Sequence, residues 1–255
     1  MIVQRLTYYI WVGFDSVLNE SHITNVARAF YALRASLEKL TLFYKSQNLT
    51  DNLPADSRYF PSITAYRPHG SGHVKFKYVG FLENGLDCIT FRACTEMAQD
   101  IVVKFVDRYG KRAHQILADH SLAPKLLCYG SPRFDDDEPS YQSISMVVMD
   151  FVDGDTFGEV KTKVSKNLVE TVRSTVQKAL DLLHSHGLVF GDLRLPNVMI
   201  TKDGEVKLID FDWAGEEGQA KYLSLLSPGI DWPVGVKALA VMRKEHDLCM
   251  LKKLF

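Results

Sequence analysis

Three oxygen-bearing side chains lie close together in the second half of this 255-residue chain. Asp192 and Asn197 stand five apart around Pro196, and Asp210 follows thirteen residues later. The pattern around them predicts a short strand from Gly187, a tight polar loop, and a second strand through Val198-Met199-Ile200. A hairpin turn at Asp203-Gly204 and a third strand ending at Asp210 follow. The arrangement brings two ligand oxygens and a further carboxylate to the ends of short strands. All-oxygen donors suit Mg²⁺, which keeps several waters and is usually shared with substrate phosphates. A surface hairpin that happens to carry acids is the plain alternative.

A series of elements precedes this cassette. Val74, Phe76 and Tyr78 alternate with polar residues, predicting a half-buried strand up to Gly80. The turn signal Glu83-Asn84-Gly85-Leu86-Asp87 allows Cys88 to Thr95 to return beside it. Asp100 to Val106 is an apolar third strand with one lysine, Lys104, in its middle. A short helix over Tyr109 to His120 with Ala113, Ile116 and Leu117 inward comes next. Strands at Lys125 to Tyr129 and Ser143 to Phe151 complete the set. Ser165 then caps a long helix to His186, with Leu168, Val172, Val176, Ala179, Leu180 and Leu183 on its buried face and Gly187 ending it.

Asp192-Leu193-Arg194-Leu195-Pro196-Asn197 with Asp210-Phe211 resembles the catalytic cassette of the protein-kinase-like superfamily, in which Asp-Leu-Lys/Arg-x-x-Asn precedes Asp-Phe-Gly. The resemblance extends over the elements from Val74 to Trp213. It implies an α+β, bilobal fold: a five-stranded antiparallel N-terminal lobe with one helix, and a shortened, mainly helical C-terminal lobe. An N-terminal helical extension would precede both. The expected division is residues 1–72 for extension and linker, 73–153 for the first lobe and 154–255 for the second.

The same resemblance implies ATP and Mg²⁺ as cofactors and transfer of the γ-phosphate to a hydroxyl acceptor. Lys104 would grip the α- and β-phosphates, and Gly85 would lie in the loop that covers them. Asp192 would orient or accept the proton of the attacking hydroxyl, and Arg194 would set a permanent positive charge beside the γ-phosphate. Asn197 and Asp210 would hold the metal. Met149 would guard the back of the nucleotide pocket, while Asp150 and Val152 would offer main-chain contacts to adenine. Val102, Met199 and Ile209 would wall the base or serve as plain core.

The sequence departs from the family pattern in several places. The helix over 109–120 holds no glutamate to pair with Lys104; His114 and Gln115 stand near that position, so the lysine must be placed from elsewhere, with Asp210 a candidate. Phe190-Gly191 replaces His-Arg before Asp192, so control through an activation-loop phosphate gripped by that arginine is not expected. Asp212 replaces the glycine of Asp-Phe-Gly, and Gly85 stands alone where two or three glycines are usual. Three activities fit: a protein Ser/Thr kinase, a nucleotide-binding or interaction module without turnover (a pseudokinase), and a small-molecule phosphotransferase. The last reading follows from Gly191-Asp192 and Asp210-Phe211-Asp212, which are similar to the motifs of antibiotic and choline phosphotransferases.

Composition bounds the partners. The chain is 46% hydrophobic, ample for a core, and 30 basic against 31 acidic side chains leave a net charge of -1. Nothing global therefore attracts nucleic acid or a membrane surface. The apolar run Leu6 to Phe14 is too short for the roughly 20 residues of a bilayer span. Cys88, Cys94, Cys128 and Cys249 form no C-x-x-C pair, which predicts reduced thiols and a cytoplasmic protein. Asp135 to Glu138 reads as a solvated acidic loop and Asn48 to Gly72 as a linker. Val26, Phe30, Leu33, Leu37, Leu40 and Tyr44 make an apolar stripe on a helix from about Ser21 to Ser46, which would pack on the neighbouring domain or receive a protein partner.

Overall fold

The computed structural model describes residues 20–46, 60–68, 72–83, 89–132 and 144–255. Gly85, Cys88, the acidic loop and most of the expected linker lie outside the described residues. By contact, the chain divides into Met1–Pro61 and Ser62–Phe255. In the first unit, α1 (Glu20–Ser46) is one 27-residue helix. Its stripe residues Phe30, Leu33, Leu37 and Leu40 are 45–61% exposed. Among the described residues, no helix is long and apolar enough to cross a membrane.

The second unit is a mixed α/β fold with antiparallel sheets. β1 (Ala65–Tyr66), β2 (Val74–Phe81), β3 (Thr90–Thr95), β4 (Asp100–Val106), β5 (Leu126–Gly130) and β6 (Ser145–Asp150) form a six-stranded sheet in the order β1-β2-β3-β4-β6-β5. The pattern predicts five of these; β1, two residues long, sits where a linker is expected and pairs with β2 at Ala65↔Lys75. So short a strand leaves no periodicity to read. β4 lies inside the sheet and is buried from Ile101 to Val106, as an apolar run interrupted only by Lys104 implies. α2 (Lys111–Asp119) follows it.

After β6, β7 (Gly154–Thr156) and the short helix α3 (Phe157–Val160) lead to α4 (Lys166–Ser185). Ser165 caps α4 by accepting the Leu168 N–H, and Gly187 follows its C-terminus at φ 71°. Val172, Val176, Ala179, Leu180 and Leu183 are buried along one face. Next come β8 (Leu188–Val189), the loop with Asp192, a 3-10 turn at Leu195–Asn197, β9 (Val198–Thr201) and β10 (Val206–Leu208). Gly204, at φ 83°, makes the turn between β9 and β10. β7 adds to the other edge of β9, where a Cβ on Gly154 would come within 2.1 Å of the Ile200 carbonyl, so only glycine fits. β11 (Gly215–Glu216) pairs with β8.

The chain ends in α5 (Lys244–Leu254). Asp247, 2% exposed, points from this helix under the Asp192 loop. Its two oxygens accept the Phe190 and Gly191 N–H groups at 2.8 Å each, and His184 Nε2 of α4 lies 3.0 Å away. The carboxylate thus satisfies two buried backbone donors at the turn into the loop. Asp247→Ala leaves both without an acceptor and is expected to cost roughly 2–4 kcal/mol of stability, measured by urea unfolding. A loss below about 0.5 kcal/mol, the scale of an ordinary surface change, would show that the loop does not depend on this anchor.

Candidate active site

A cavity of about 670 Å³ lies between the six-stranded sheet and the β7–β9–β10 hairpins. Val102 and Lys104 reach it from β4, Met149 and Asp150 from the end of β6, and Val152 from the segment that follows. Met199 and Ile209 form an opposite apolar wall, and Arg194, Asn197 and Asp210 close the polar end. Ten of the sequence-predicted site residues therefore share one hollow. Asp192 is not on its lining, and Gly85 lies outside the described residues.

Lys104 is 6% exposed, and its Nζ lies 2.8 Å from Asp210 Oδ1 and 2.8 Å from Asp212 Oδ2. Burial alone would lower its pKa, but the two carboxylates outweigh burial and hold the ammonium above its ordinary value. Asp212 carries the corresponding burden: burial and the charge of Asp210 raise its pKa against the pull of Lys104. Asp210 itself sits at φ 66°, left-handed for a non-glycine residue and a conformation that costs energy unless its surroundings enforce it.

Asp192, 2% exposed, lies behind the cavity wall. Arg194 Nε and Nη2 donate to its two oxygens at 2.6 Å each, a bidentate pair. Asn197 Nδ2 donates to the Asp192 main-chain oxygen at 2.8 Å and to Oδ2 at 3.1 Å. Burial raises the Asp192 carboxyl above its usual range while Arg194 draws it down. Arg194, expected beside the γ-phosphate, thus borders the cavity while committing two donors to Asp192. Asn197 has its amide hydrogens engaged, which leaves its Oδ1 for a cation. With Asp210 this gives an all-oxygen donor set, the kind that Mg²⁺ prefers over nitrogen or sulfur ligands.

The segment at the end of β6 is braced by side chains of its neighbours. Asp150 Oδ1 accepts from Gln99 Nε2 at 2.9 Å, and the Asp150 N–H donates to the Lys125 carbonyl at 3.0 Å. The Arg92 guanidinium lies over the Phe151 ring, 4.4 Å from its centre.

Two residues escape the sequence reading. The first is Asp212 as a partner of Lys104, whose one available signal is an acid spaced two from Asp210. The second is His114, which stands near the position of the missing glutamate and is fully buried. Its Nε2 donates to the Pro124 carbonyl at 2.7 Å, so Nδ1 accepts from the Tyr109 hydroxyl at 2.6 Å. The ring stacks on Phe211 at 4.5 Å and 5°, and Phe211 meets Phe190 edge-on. α2 therefore grips the residue after Asp210 through aromatic packing, and Gly110 N–H adds a bond to the Phe211 carbonyl at 2.8 Å.

The protein-kinase-domain family model matches residues 133–226, which include Asp192, Asn197 and Asp210 but not Lys104. The chain is similar to serine/threonine-protein kinase PAK 5 of Rattus norvegicus, 32% identical over 28% of this chain and 10% of that protein. It is similar to the probable serine/threonine-protein kinase mkcB of Dictyostelium discoideum, 29% identical over 51% of this chain and 18% of that one. The matches thus span about a tenth to a fifth of these relatives' length. Among solved structures, the fold is like that of the Cydia pomonella granulovirus kinase PK-1, with TM-score 0.53 and 14% identity. That likeness covers 69% of this chain and 65% of the viral one. The chain is thus similar to protein kinases across the segment that carries Asp192, Asn197 and Asp210.

Burial holds His114 neutral, with a pKa lowered to about 4 from 6.5. Between those values the unfolded chain binds the extra proton. This part of the stability is therefore complete above about pH 6.5 and is lost as pH falls towards 4, roughly 3 kcal/mol in all. His114→Phe keeps a ring against Phe211 but cannot titrate. Urea unfolding from pH 4 to 7 should show a steeper decline for the wild type than for His114→Phe, and parallel curves would count against a buried neutral imidazole.

Proposed function

We propose that this chain is an ATP- and Mg²⁺-dependent phosphotransferase that moves the γ-phosphate to a hydroxyl acceptor, a protein serine or threonine in the first instance. One observation carries the reading. A buried lysine, a carboxylate and a carboxamide from three separate elements border a single hollow large enough for a nucleotide, with a second carboxylate immediately behind it. Strands β2–β6 with α2 make the first lobe, and the elements from β7 onward make the second.

In this reading Val102, Met149, Met199 and Ile209 enclose the base, and the main chain at Asp150 and Val152 recognises its edge. Lys104 holds the α- and β-phosphates. Asn197 Oδ1 and Asp210 would hold Mg²⁺, which would neutralise the charge that develops on the phosphates. Arg194 fixes the Asp192 carboxylate in one orientation, so that the acceptor hydroxyl meets a placed proton acceptor. Because Asp192 lies behind Arg194, an acceptor reaches it only as the guanidinium yields, and Arg194 Nη1 remains to meet phosphate.

Mg²⁺ with ATP should raise the melting temperature of the full chain more than ATP with chelator. Labelled-phosphate transfer to a serine/threonine peptide library, with hydroxyl-bearing small molecules in parallel, reports the acceptor. Asp192→Asn should lower kcat by roughly 100- to 10,000-fold while leaving the Mg²⁺-ATP thermal shift in place. Binding with no turnover by the wild type in either panel would point to the interaction-module reading, and no shift at all would overturn nucleotide binding.

A further inference from the structure

Two carboxylates share the one ammonium of Lys104, and their positions are not equivalent. Asp210 lines the cavity. Asp212 is not on its lining: its Oδ2 is on Lys104 at 2.8 Å, and its Oδ1 is buried with no hydrogen-bond partner. Among the described residues, no other carboxylate lies within 4.0 Å of Lys104 Nζ. α2 offers none, because it contains no glutamate and its Asp119 accepts from Gln115 at its outer end.

A cation held by Asp210 would compete with Lys104 for that carboxylate. Were Asp210 the lysine's sole partner, a cation bound ahead of the nucleotide would leave a buried ammonium without an anion, which is strongly unfavourable. A second carboxylate, Asp212, removes the conflict. The orphan Oδ1 is a cost that a purely structural site would shed by carrying a smaller residue, since a buried acceptor without a donor is destabilising.

Building on the phosphotransferase reading, we propose that Asp212 is the positioning residue for Lys104, anchoring the ammonium while Asp210 turns to the metal. Asp212 touches neither phosphate nor metal; it acts through the lysine.

The test is a double-mutant cycle on the full chain: wild type, Asp212→Asn, Lys104→Met and the double variant. Each is measured for Mg²⁺-ATP affinity, for KM and kcat, and for melting temperature without nucleotide. Contacting residues couple, so Asp212→Asn should weaken Mg²⁺-ATP affinity about tenfold when Lys104 is present and leave it unchanged in the Lys104→Met background. A role confined to folding would shift melting alike in both backgrounds and show no coupling in affinity.

The melting cycle needs no nucleotide. Asp212→Asn should lower the melting temperature beside Lys104 and change it little in Lys104→Met, where the ion pair is already gone. If the wild type neither binds nor turns over ATP, the phosphotransferase reading falls and the melting cycle still decides whether Asp212 anchors Lys104. If the wild type is active and the affinity effects simply add, the Asp212 assignment falls alone. Should Asp212→Asn fail to fold, Asp212→Gly, which leaves no buried polar atom, carries the same comparison.

Discussion

A single ammonium buried in the middle of β4 is the constraint around which the site is built. A lysine at this depth needs compensating charge, because transfer from water penalises the ionised form far more than the neutral one. The chain answers with Asp210 and Asp212, both 2.8 Å away. These acids come from the segment after β10, more than a hundred residues downstream of the strand that carries the lysine. The ion triad therefore fixes the strand-end motif against the large sheet, and the left-handed backbone at Asp210 is tolerated because the lysine and the packing of Phe211 determine it together.

The Asp192 loop is placed from two sides, one of them an element that does not line the cavity. Asp247 from α5 holds the backbone before Asp192, while Arg194 and Asn197 hold the carboxylate itself. Gly191, at φ 81°, has a packing reason as well as a conformational one: a Cβ there would meet Met242 Sδ at 2.7 Å. The loop is thus pressed between α5 and the segment that follows Trp213. His114 and Phe211 perform the matching task on the other side, where stacking replaces an ion pair.

What the sequence disclosed follows from how local each signal is. α4 was legible at both ends because Ser165 and Gly187 are local signals, and β4 because an apolar run interrupted only by Lys104 has few other meanings. Asn197 and Asp210 were legible as neighbours because their motif fixes their places at strand ends, and Lys104 through the resemblance of the strand that carries it. The pairing of Asp212 with Lys104 was not, since a contact across a hundred residues leaves no periodic trace. Nor was the burial of His114: a histidine on an amphipathic helix reads as polar until the carbonyl of Pro124 and the hydroxyl of Tyr109 are placed around it. Arg194 illustrates a third limit. Its type and position indicated a cation near phosphate, yet only coordinates reveal that it is already paired with Asp192.

The segment from Trp213 to Arg243 follows from the same physics. The arginine that in the family pattern precedes the loop aspartate is replaced here by Gly191, so order in this segment must come from groups the chain already carries. Trp213 stacks on Trp232 at 5.7 Å and 17°, and the Tyr222 hydroxyl meets His246 Nδ1 of α5 at 3.1 Å. Lys221 bridges to Val241, and Tyr222 and Met242 exchange main-chain bonds with Ala240 and Ala220. Arg108, from the β4–α2 connection, donates to the Lys221 carbonyl at 2.7 Å and lies over the Trp213 ring. Aromatic burial and paired backbone groups of this kind need no added charge to form. The same arginine ties the connection beside Lys104 to the segment beyond Asp212, so the order of that segment and the placement of the lysine rest on one continuous set of contacts.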